Sequence, residues 1–186
     1  LQHEDGSSHL MASTVPNCRA YDPCYAYELA VIVEYGMRRM LAEQCDEFFY
    51  VTVMNENYAQ PSAPNAGAAV AREGILRGMY RVRSTTRGPA RARLLGAGTI
   101  LREALAAAEL LESEFGLGID VYSVTSFTEL RREAMALTRA QGLDAAPAPS
   151  WIERQLPANE TPVVAASDYV SAVADLIRPW IRDRYL

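Results

Sequence analysis

The side chains best suited to chemistry crowd the front of this chain. LQHEDGSSH, residues 1–9, carries both histidines of the 186-residue sequence. His3 is followed by Glu4 and Asp5, two carboxylates able to orient or charge an imidazole, and by Gly6, which lets backbone approach a ligand closely. An imidazole placed this way is a general acid or base in waiting. By local sequence alone the same residues also read as a surface histidine in a polar loop. His9 stands just before an apolar stretch and reads as a structural hydrogen-bond partner. The four ionisable residues do not spell a metal site, because the i, i+6 histidine spacing fits no common zinc pattern and no cysteine pair accompanies it.

Three further groups are candidates. Cys18 and Cys24 lie six apart with Arg19 beside the first, and an arginine neighbour can lower a thiol pKa; a reduced, partly buried cysteine is the plain alternative. Glu56, at the end of an apolar run, has the reach of an acid or base but reads equally as a solvated carboxylate. Gly96 and Gly98 could open a phosphate cradle at a helix start. A dinucleotide fingerprint wants a third glycine where this chain has Leu101, so a tight strand-to-helix turn is the competing reading. No G-x-S-x-G is present, and the absence of lysine excludes a P-loop or Schiff-base lysine here.

The elements that must position these residues follow from hydrophobic period. Arg91–Leu130 reads as strand, helix, strand: a short apolar run meets Gly96-Ala97-Gly98, then Ile100, Ala104, Ala108, Leu111 and Phe115 recur at helical spacing, and Ile119–Phe127 is β-branched and aromatic. A helix between two apolar strands is the connection a parallel pair needs, which implies an α/β fold with a sheet covered by helices on both faces. Ahead of this unit, Leu10–Val15 reads as a buried strand and Asn17–Pro23 as a loop closing on a helix. Asp22 is the expected N-cap and Pro23 the first residue of that helix, which should run to about Leu41. Phe48–Met54 should be a strand, and Ala59–Ala71, rich in Pro, Gly and Ala, a domain boundary. Gly78–Ser84 reads as a half-exposed strand joined by the turn Thr85–Pro89 to Arg91–Leu95 in an antiparallel hairpin. Beyond the central unit come a helix over Glu129–Gln141, a loop over Gly142–Pro149, a short helix capped by Ser150, a buried strand Pro162–Ser167 and a helix capped by Asp168 that ends before Pro179. Tyr185-Leu186 looks like the opening of one more strand.

Composition bounds the class. With 49% hydrophobic residues the chain can build a core, and a net charge of −5 with arginines scattered among acids shows no basic stripe for nucleic acid. The longest apolar windows are interrupted by Glu28, Arg102, Glu103 and Glu109, short of a membrane span. Three unpatterned cysteines and no leader point to reduced thiols in the cytoplasm.

Several stretches together resemble one family. LQHEDG, PNCRAYDPCYAYELAVI, FFYVTVMNENYAQP, EGILRGMYR, LLGAGTILREALAAAELL and DVYSVTSFTEL are similar to the homodimeric bacterial E1 component of pyruvate dehydrogenase. The resemblance implies the end of that family's pyrimidine-binding middle domain over residues 1–60, then a transketolase C-terminal-like domain over 61–186: a three-layer α/β/α fold with a mixed, mostly parallel sheet. It implies an enzyme using thiamine diphosphate and magnesium to decarboxylate pyruvate oxidatively and pass the acetyl group to the lipoyl arm of an E2 acetyltransferase. Most of that family's cofactor ligands and all of its magnesium ligands are expected outside this segment, so no cofactor-binding residue is assigned here and the piece alone should be inactive. One functional residue carries over by motif: His3 matches the active-site histidine on the substrate side, where it would hydrogen-bond or protonate the substrate, with Glu4 and Asp5 setting its tautomer. Ser7 stands where a histidine is common, and Arg131–Pro149 departs from the family pattern, which leaves a related acid such as 2-oxobutyrate as an alternative. A non-catalytic dimerisation or docking module and a free-standing nucleotide-binding domain are the readings from other classes.

Overall fold

The structure is a computed structural model that describes residues 5–63, 68–140 and 148–186. Its front third is built on a two-stranded parallel sheet, β1 (Cys18–Tyr21) with β2 (Phe48–Val51), linked by helix α2 (Ala26–Met37) and its π-helical continuation Arg38–Ala42. The helix follows the sequence reading to its end at about Leu41. Its start does not. Pro23 and Asp22 lie outside the helix, and the N-cap is Tyr25, whose N–H is taken by the Glu28 carboxylate reaching back at 3.0 Å. Asp22 is drawn elsewhere, toward Thr52.

Two further expectations in this region are corrected. Leu10–Val15 is not a strand: Ser8–Ala12 forms a short helix, α1, because the Asp5 carboxylate accepts the N–H groups of Ser7 and Ser8 and so starts a helix. Residues 18–21 are not a loop but β1. Arg19 hides the strand from a sequence reading, since a charged residue sits in the pleat. Its guanidinium finds partners only in the fold, Glu47 at 2.5 Å and Glu129 at 2.6 Å, while its Nε is buried without one.

The remaining strands form one mixed sheet of order β3-β5-β4-β6. Here β3 is Met79–Arg83, β4 Ala92–Ala97, β5 Ile119–Val124 and β6 Val163–Ala166. The strand–helix–strand unit is as read: β4 and β5 are parallel, joined by α4 (Ile100–Phe115), and β6 adds in parallel on the other side of β4. Tyr185 extends the sheet through a parallel bridge to Val163. The expected hairpin is absent, because β3 pairs antiparallel with β5 rather than with β4. The loop between β3 and β4 instead crosses the start of β5. It is pinned there by Thr85 N–H on Asp120 and by Arg91 N–H on the Gly118 carbonyl, at 2.9 and 2.7 Å.

Alternate residues of the sheet feed two cores. Leu95, Ala97, Tyr122 and Val124 pack with Phe127, Leu130, Trp151 and Ile177 on one face. Ile119 and Val121 pack with Leu101, Ala104 and Ala108 of α4 on the other. Period-two strands between helices on both faces make the three-layer α/β sandwich that the sequence implies. A third cluster, Tyr21, Ile32, Ile75 and Tyr80, ties the front sheet to α3 (Ala68–Arg77), a helix hidden in the alanine-rich stretch.

Toward the C-terminus, α5 (Phe127–Ala140) and the Ser150-capped α6 (Trp151–Gln155) agree with expectation. Ser150 Oγ accepts the Glu153 N–H while Glu153 accepts the Ser150 N–H, a reciprocal box. The Gly142–Pro149 loop lies mostly outside the described residues. Asp168 caps nothing: α7 (Ser171–Ala174) starts after Val170, and Pro179 falls inside the following 3-10 helix, Asp175–Trp180.

Candidate functional site

His3 and Glu4 lie outside the described residues, so the site is described from Asp5 onward. Asp5 is the first anchor. Its carboxylate takes the Ser7 and Ser8 N–H groups and the Ser8 hydroxyl. Partial burial works against ionisation, but these hydrogen bonds and the nearby His9 win and hold Asp5 below the usual carboxylate range. Gly6 follows, and its carbonyl accepts the Val170 N–H at 2.8 Å.

His9 turns inward from α1 with 3% of its surface exposed. Its Nε2 lies 2.9 Å from Thr52 Oγ1, while its ring meets Tyr169 and Tyr50 edge-on at 4.7 and 5.5 Å. Thr52 is the hub of this cluster. It donates its one hydrogen to Asp22 Oδ1 at 2.7 Å and accepts from the Tyr169 hydroxyl at 3.1 Å. His9 must therefore carry its proton on Nε2 to donate to Thr52. The structural role expected for His9 is what the geometry shows. Asp22 stands out in the sequence only as a helix cap, Thr52 and Tyr169 not at all, and no local signal joins them, since Thr52 and Tyr169 are 117 residues apart.

This cluster has a definite pH signature. Burial pushes the His9 imidazole down to about 4, against the opposing pull of Asp5. Burial also raises the Asp22 carboxyl to about 6, opposed by the Thr52 hydrogen bond and reinforced by Asp168. A depressed histidine destabilises the fold as pH falls from about 6.5 to about 4, because there the unfolded chain binds the extra proton. A raised carboxyl does the reverse: between 3.8 and about 6 the folded chain holds the extra proton, so stability is gained as pH falls. The two effects oppose each other across most of that window. Asp22→Asn should therefore steepen the loss of stability on acidification, and His9→Gln should flatten or invert it, as read from unfolding midpoints between pH 4 and 7. Parallel slopes in both variants and the parent would refute the assignment.

The other candidates resolve as structure. Gly98 adopts φ +52°, its N–H bonds the Asp22 carbonyl, and an added Cβ would lie 2.5 Å from the Asp22 carboxylate. A Cβ on Gly96 would lie 2.5 Å from the Cα of Leu101. The turn before α4 is thus closed by backbone and faced by a carboxylate, which leaves no cradle for a phosphate. Burial raises the Cys18 thiol and pushes Cys24 up to about 12, and Arg19 is spent on Glu47 and Glu129, so neither cysteine is an activated nucleophile. Glu56 is a solvated carboxylate, half exposed and paired with Arg102 at 3.0 Å. An open pocket of about 160 Å³ beside it is lined by Cys24, Leu29, Met54 and Tyr58. Among the described residues no cluster of His, Cys, Asp and Glu could hold a metal ion, and no helix is long and apolar enough to cross a membrane.

A mixed, mostly parallel sheet between helices, joined to a small parallel sheet, defines the class. Residues 78–183 match the transketolase-like C-terminal domain, and the chain belongs to that family. Residues 1–61 match the middle domain of the pyruvate dehydrogenase E1 component. The chain is 52% identical over 97% of its length to the pyruvate dehydrogenase E1 component of Pseudomonas aeruginosa. It is 42% identical to those of Escherichia coli K12 and Mycobacterium tuberculosis over 97% and 100% of its length. It spans about 20% of the length of each of these relatives. Among solved structures, transketolase from Leishmania mexicana aligns with a TM-score of 0.61 at 19% identity, covering 97% of this chain and 23% of that one. Transketolase from Campylobacter jejuni aligns at 0.56 and 16%, covering 98% and 23%. These structures share the fold.

Proposed function

We propose that this chain is a segment of the E1 component of a pyruvate dehydrogenase complex, an enzyme that decarboxylates pyruvate oxidatively and transfers the acetyl group to a lipoyl group on an E2 acetyltransferase. The observation that carries the proposal is the 52% identity to a curated E1 component over 97% of the chain, beside the match of residues 1–61, LQHEDG included, to the E1 middle domain. We also propose the division of the chain at residues 60 and 61, a homodimer, and a cytoplasmic enzyme. An exposed apolar row on α2 and its extension, Val33, Met37 and Leu41, supports a subunit or inter-domain contact on that face.

Thiamine diphosphate and magnesium would supply the means of stabilising the charge left by decarboxylation. The described residues do not fit that pair, since the glycine turn is closed by Asp22 and Leu101 and no metal cluster is found among them. Their binding falls to the rest of the longer chain. This segment's own task is to present His3, whose imidazole would donate a hydrogen bond or a proton where substrate carboxylate and oxyanion charge appears.

The test is the full-length protein, loaded with thiamine diphosphate and magnesium, assayed for pyruvate-dependent reduction of an electron acceptor, with 2-oxobutyrate in parallel. Turnover with pyruvate is expected. A folded, loaded enzyme that turns over neither acid would reject the proposal, and a preference for 2-oxobutyrate would correct its substrate.

A further inference from the structure

The open pocket beside Glu56 sits where a parallel sheet commonly takes its ligands. β1 ends at Tyr21 and β2 at Val51, and the walls come from the residues that follow each strand, Pro23 to Ala26 on one side and Val53 to Gln60 on the other. In open α/β sheets the crevice outside the carboxyl ends of the strands is the usual binding place. The amides that open α2 are already taken there: Cys24 and Tyr25 N–H donate to Glu28 Oε2, and Ala26 N–H donates to Gln60 Oε1 at 2.9 Å. An anion finds these donors closed. The rim keeps other valences unused. Because Gln60 Oε1 faces an N–H, its Nε2 is left as a donor with two hydrogens, of which the Tyr58 hydroxyl oxygen can take one. Glu56 Oε1 accepts from Arg102 at 3.0 Å, while Oε2 has no partner among the described residues. The Tyr58 hydrogen is committed to the Cys24 carbonyl. The rest of the wall is apolar and uncovered, with Val53 65% and Met54 53% exposed beside Leu29 and Pro23.

We propose that this pocket binds an aliphatic amide, the chemistry of an acylated lysine side chain. A free N–H on Gln60 and a free oxygen on Glu56 complement an amide, whose carbonyl accepts and whose N–H donates. The competing classes each fail on one group. A carboxylate would meet the Glu56 charge, and an alkylammonium would set its own hydrogens against the Gln60 donor. The carbon chain lies along Leu29, Val53 and Met54. A volume of about 160 Å³ holds about five groups of water size at roughly 30 Å³ each. That suits a short unbranched chain and is too small for a nucleotide. The chemistry of the pocket stands apart from the E1 reading, but the source of the amide rests on it: in an E1 component the acylated lysine that approaches is the one bearing the lipoyl group of the E2 acetyltransferase.

The experiment titrates the full-length protein with hexanamide, hexanoate and hexylamine, followed by saturation-transfer NMR, in the parent and in Q60E, E56Q and M54S. Hexanamide should bind with a dissociation constant on the order of 1 mM, the range open to a ligand of this size, and the acid and the amine at least about 10-fold more weakly. Q60E keeps an acceptor for the Ala26 N–H but removes the free donor, so it should weaken hexanamide by about 5- to 10-fold. M54S strips the apolar wall at a half-exposed position and should weaken it as well. E56Q removes the charge and should bring hexanoate closer to hexanamide. No binding of hexanamide to the parent, or equal affinity in the parent, Q60E and M54S, would overturn the pocket. A second arm identifies the source, with lipoamide as acetyl acceptor. A KM for lipoamide that rises in Q60E and M54S in step with the loss of hexanamide affinity, with a smaller change in kcat, assigns the amide to the lipoyl group. An unchanged KM would overturn that source and leave the pocket to another amide. If the parent turns over no pyruvate, the E1 reading fails, and the hexanamide titration still decides the pocket.

Discussion

Replacing Glu28 with alanine should cost more than about 3 kcal/mol of folding stability, measured as a lower midpoint of urea unfolding at unchanged slope. The side chain is fully buried, with none of its surface exposed. Its Oε2 accepts the N–H groups of Cys24 and Tyr25 at 2.7 and 3.0 Å, and its Oε1 accepts the Tyr80 and Ser123 hydroxyls at 2.6 and 2.7 Å. Two of these donors start α2, one belongs to β3 and one to β5. A single carboxylate thus joins the front helix to the C-terminal sheet. Tyr27 extends the network, because with the Tyr80 proton directed at Glu28 the 2.6 Å contact between the two hydroxyls must be donated by Tyr27. Alanine leaves four buried donors without a partner as well as a void, and each orphaned buried group costs about 1–3 kcal/mol. Glutamine is the informative comparison: it keeps the volume and one acceptor oxygen but turns an NH2 group toward two donors. It should lose less than alanine and still more than a surface change. A loss below about 1 kcal/mol for the alanine variant would mean that water or neighbouring acceptors replace the carboxylate, and the proposed staple would be wrong.

Glu28 also shows where a sequence reading stops. A small polar cap followed by proline, Asp22-Pro23, is the sequence signal for the start of α2, whereas the fold uses a glutamate one turn inside the helix reaching back to a tyrosine cap. A capping box is recognisable by Ser or Thr at its first position, and Tyr25 does not advertise one. By contrast the β4–α4–β5 unit was legible in full, since period-two and helical spacing are local properties of the chain. Pairing is not local. The β3 strand was readable, but its partner was decided by the loop over Gly118 and Asp120 near the start of β5, contacts made in space across about a third of a hundred residues of chain. The α1 helix failed for a related reason: LMASTV is apolar enough for a strand, and only the Asp5 carboxylate tips its start into a helical turn.

The same division runs through the site. The motif around His3 was visible as a run of residue types, while its support was not, because Thr52, Asp22 and Tyr169 come from three separate segments and meet only in the fold. Asp22 has two tasks there. It accepts from Thr52 beneath the His9 anchor, and it fills the space beside Gly98 that a bound phosphate would need. One carboxylate therefore both underlies the His9 contact of α1 and closes the glycine turn to anions, which is why the nucleotide-binding reading of Gly96 and Gly98 fails together with the N-cap reading of Asp22.

His3→Ala in the full-length, cofactor-loaded enzyme should lower kcat by about 10²–10⁴-fold without moving the unfolding midpoint. The two halves of that expectation have different grounds. The kinetic half follows from the role proposed for the imidazole: a group that stabilises charge or moves a proton in the transition state, when removed, lowers kcat and kcat/KM together. The stability half follows from the described contacts of residues 5–9, which other side chains and backbone groups make. Asp5 holds Ser7 and Ser8, Gly6 holds Val170, and His9 holds Thr52, so truncating His3 leaves these described contacts intact. His3→Gln separates the two chemical possibilities, since glutamine donates a hydrogen bond but cannot transfer a proton at neutral pH. Activity near the parent's in the glutamine variant would assign hydrogen bonding alone, and a loss equal to alanine's would assign proton transfer. His9→Gln is the internal contrast: its imidazole is buried on Thr52 and should act through stability and its pH dependence. If the alanine variant at position 3 turns over pyruvate at the parent's rate, the first histidine is a surface residue in a polar loop, and the chemistry must be sought elsewhere in the longer chain.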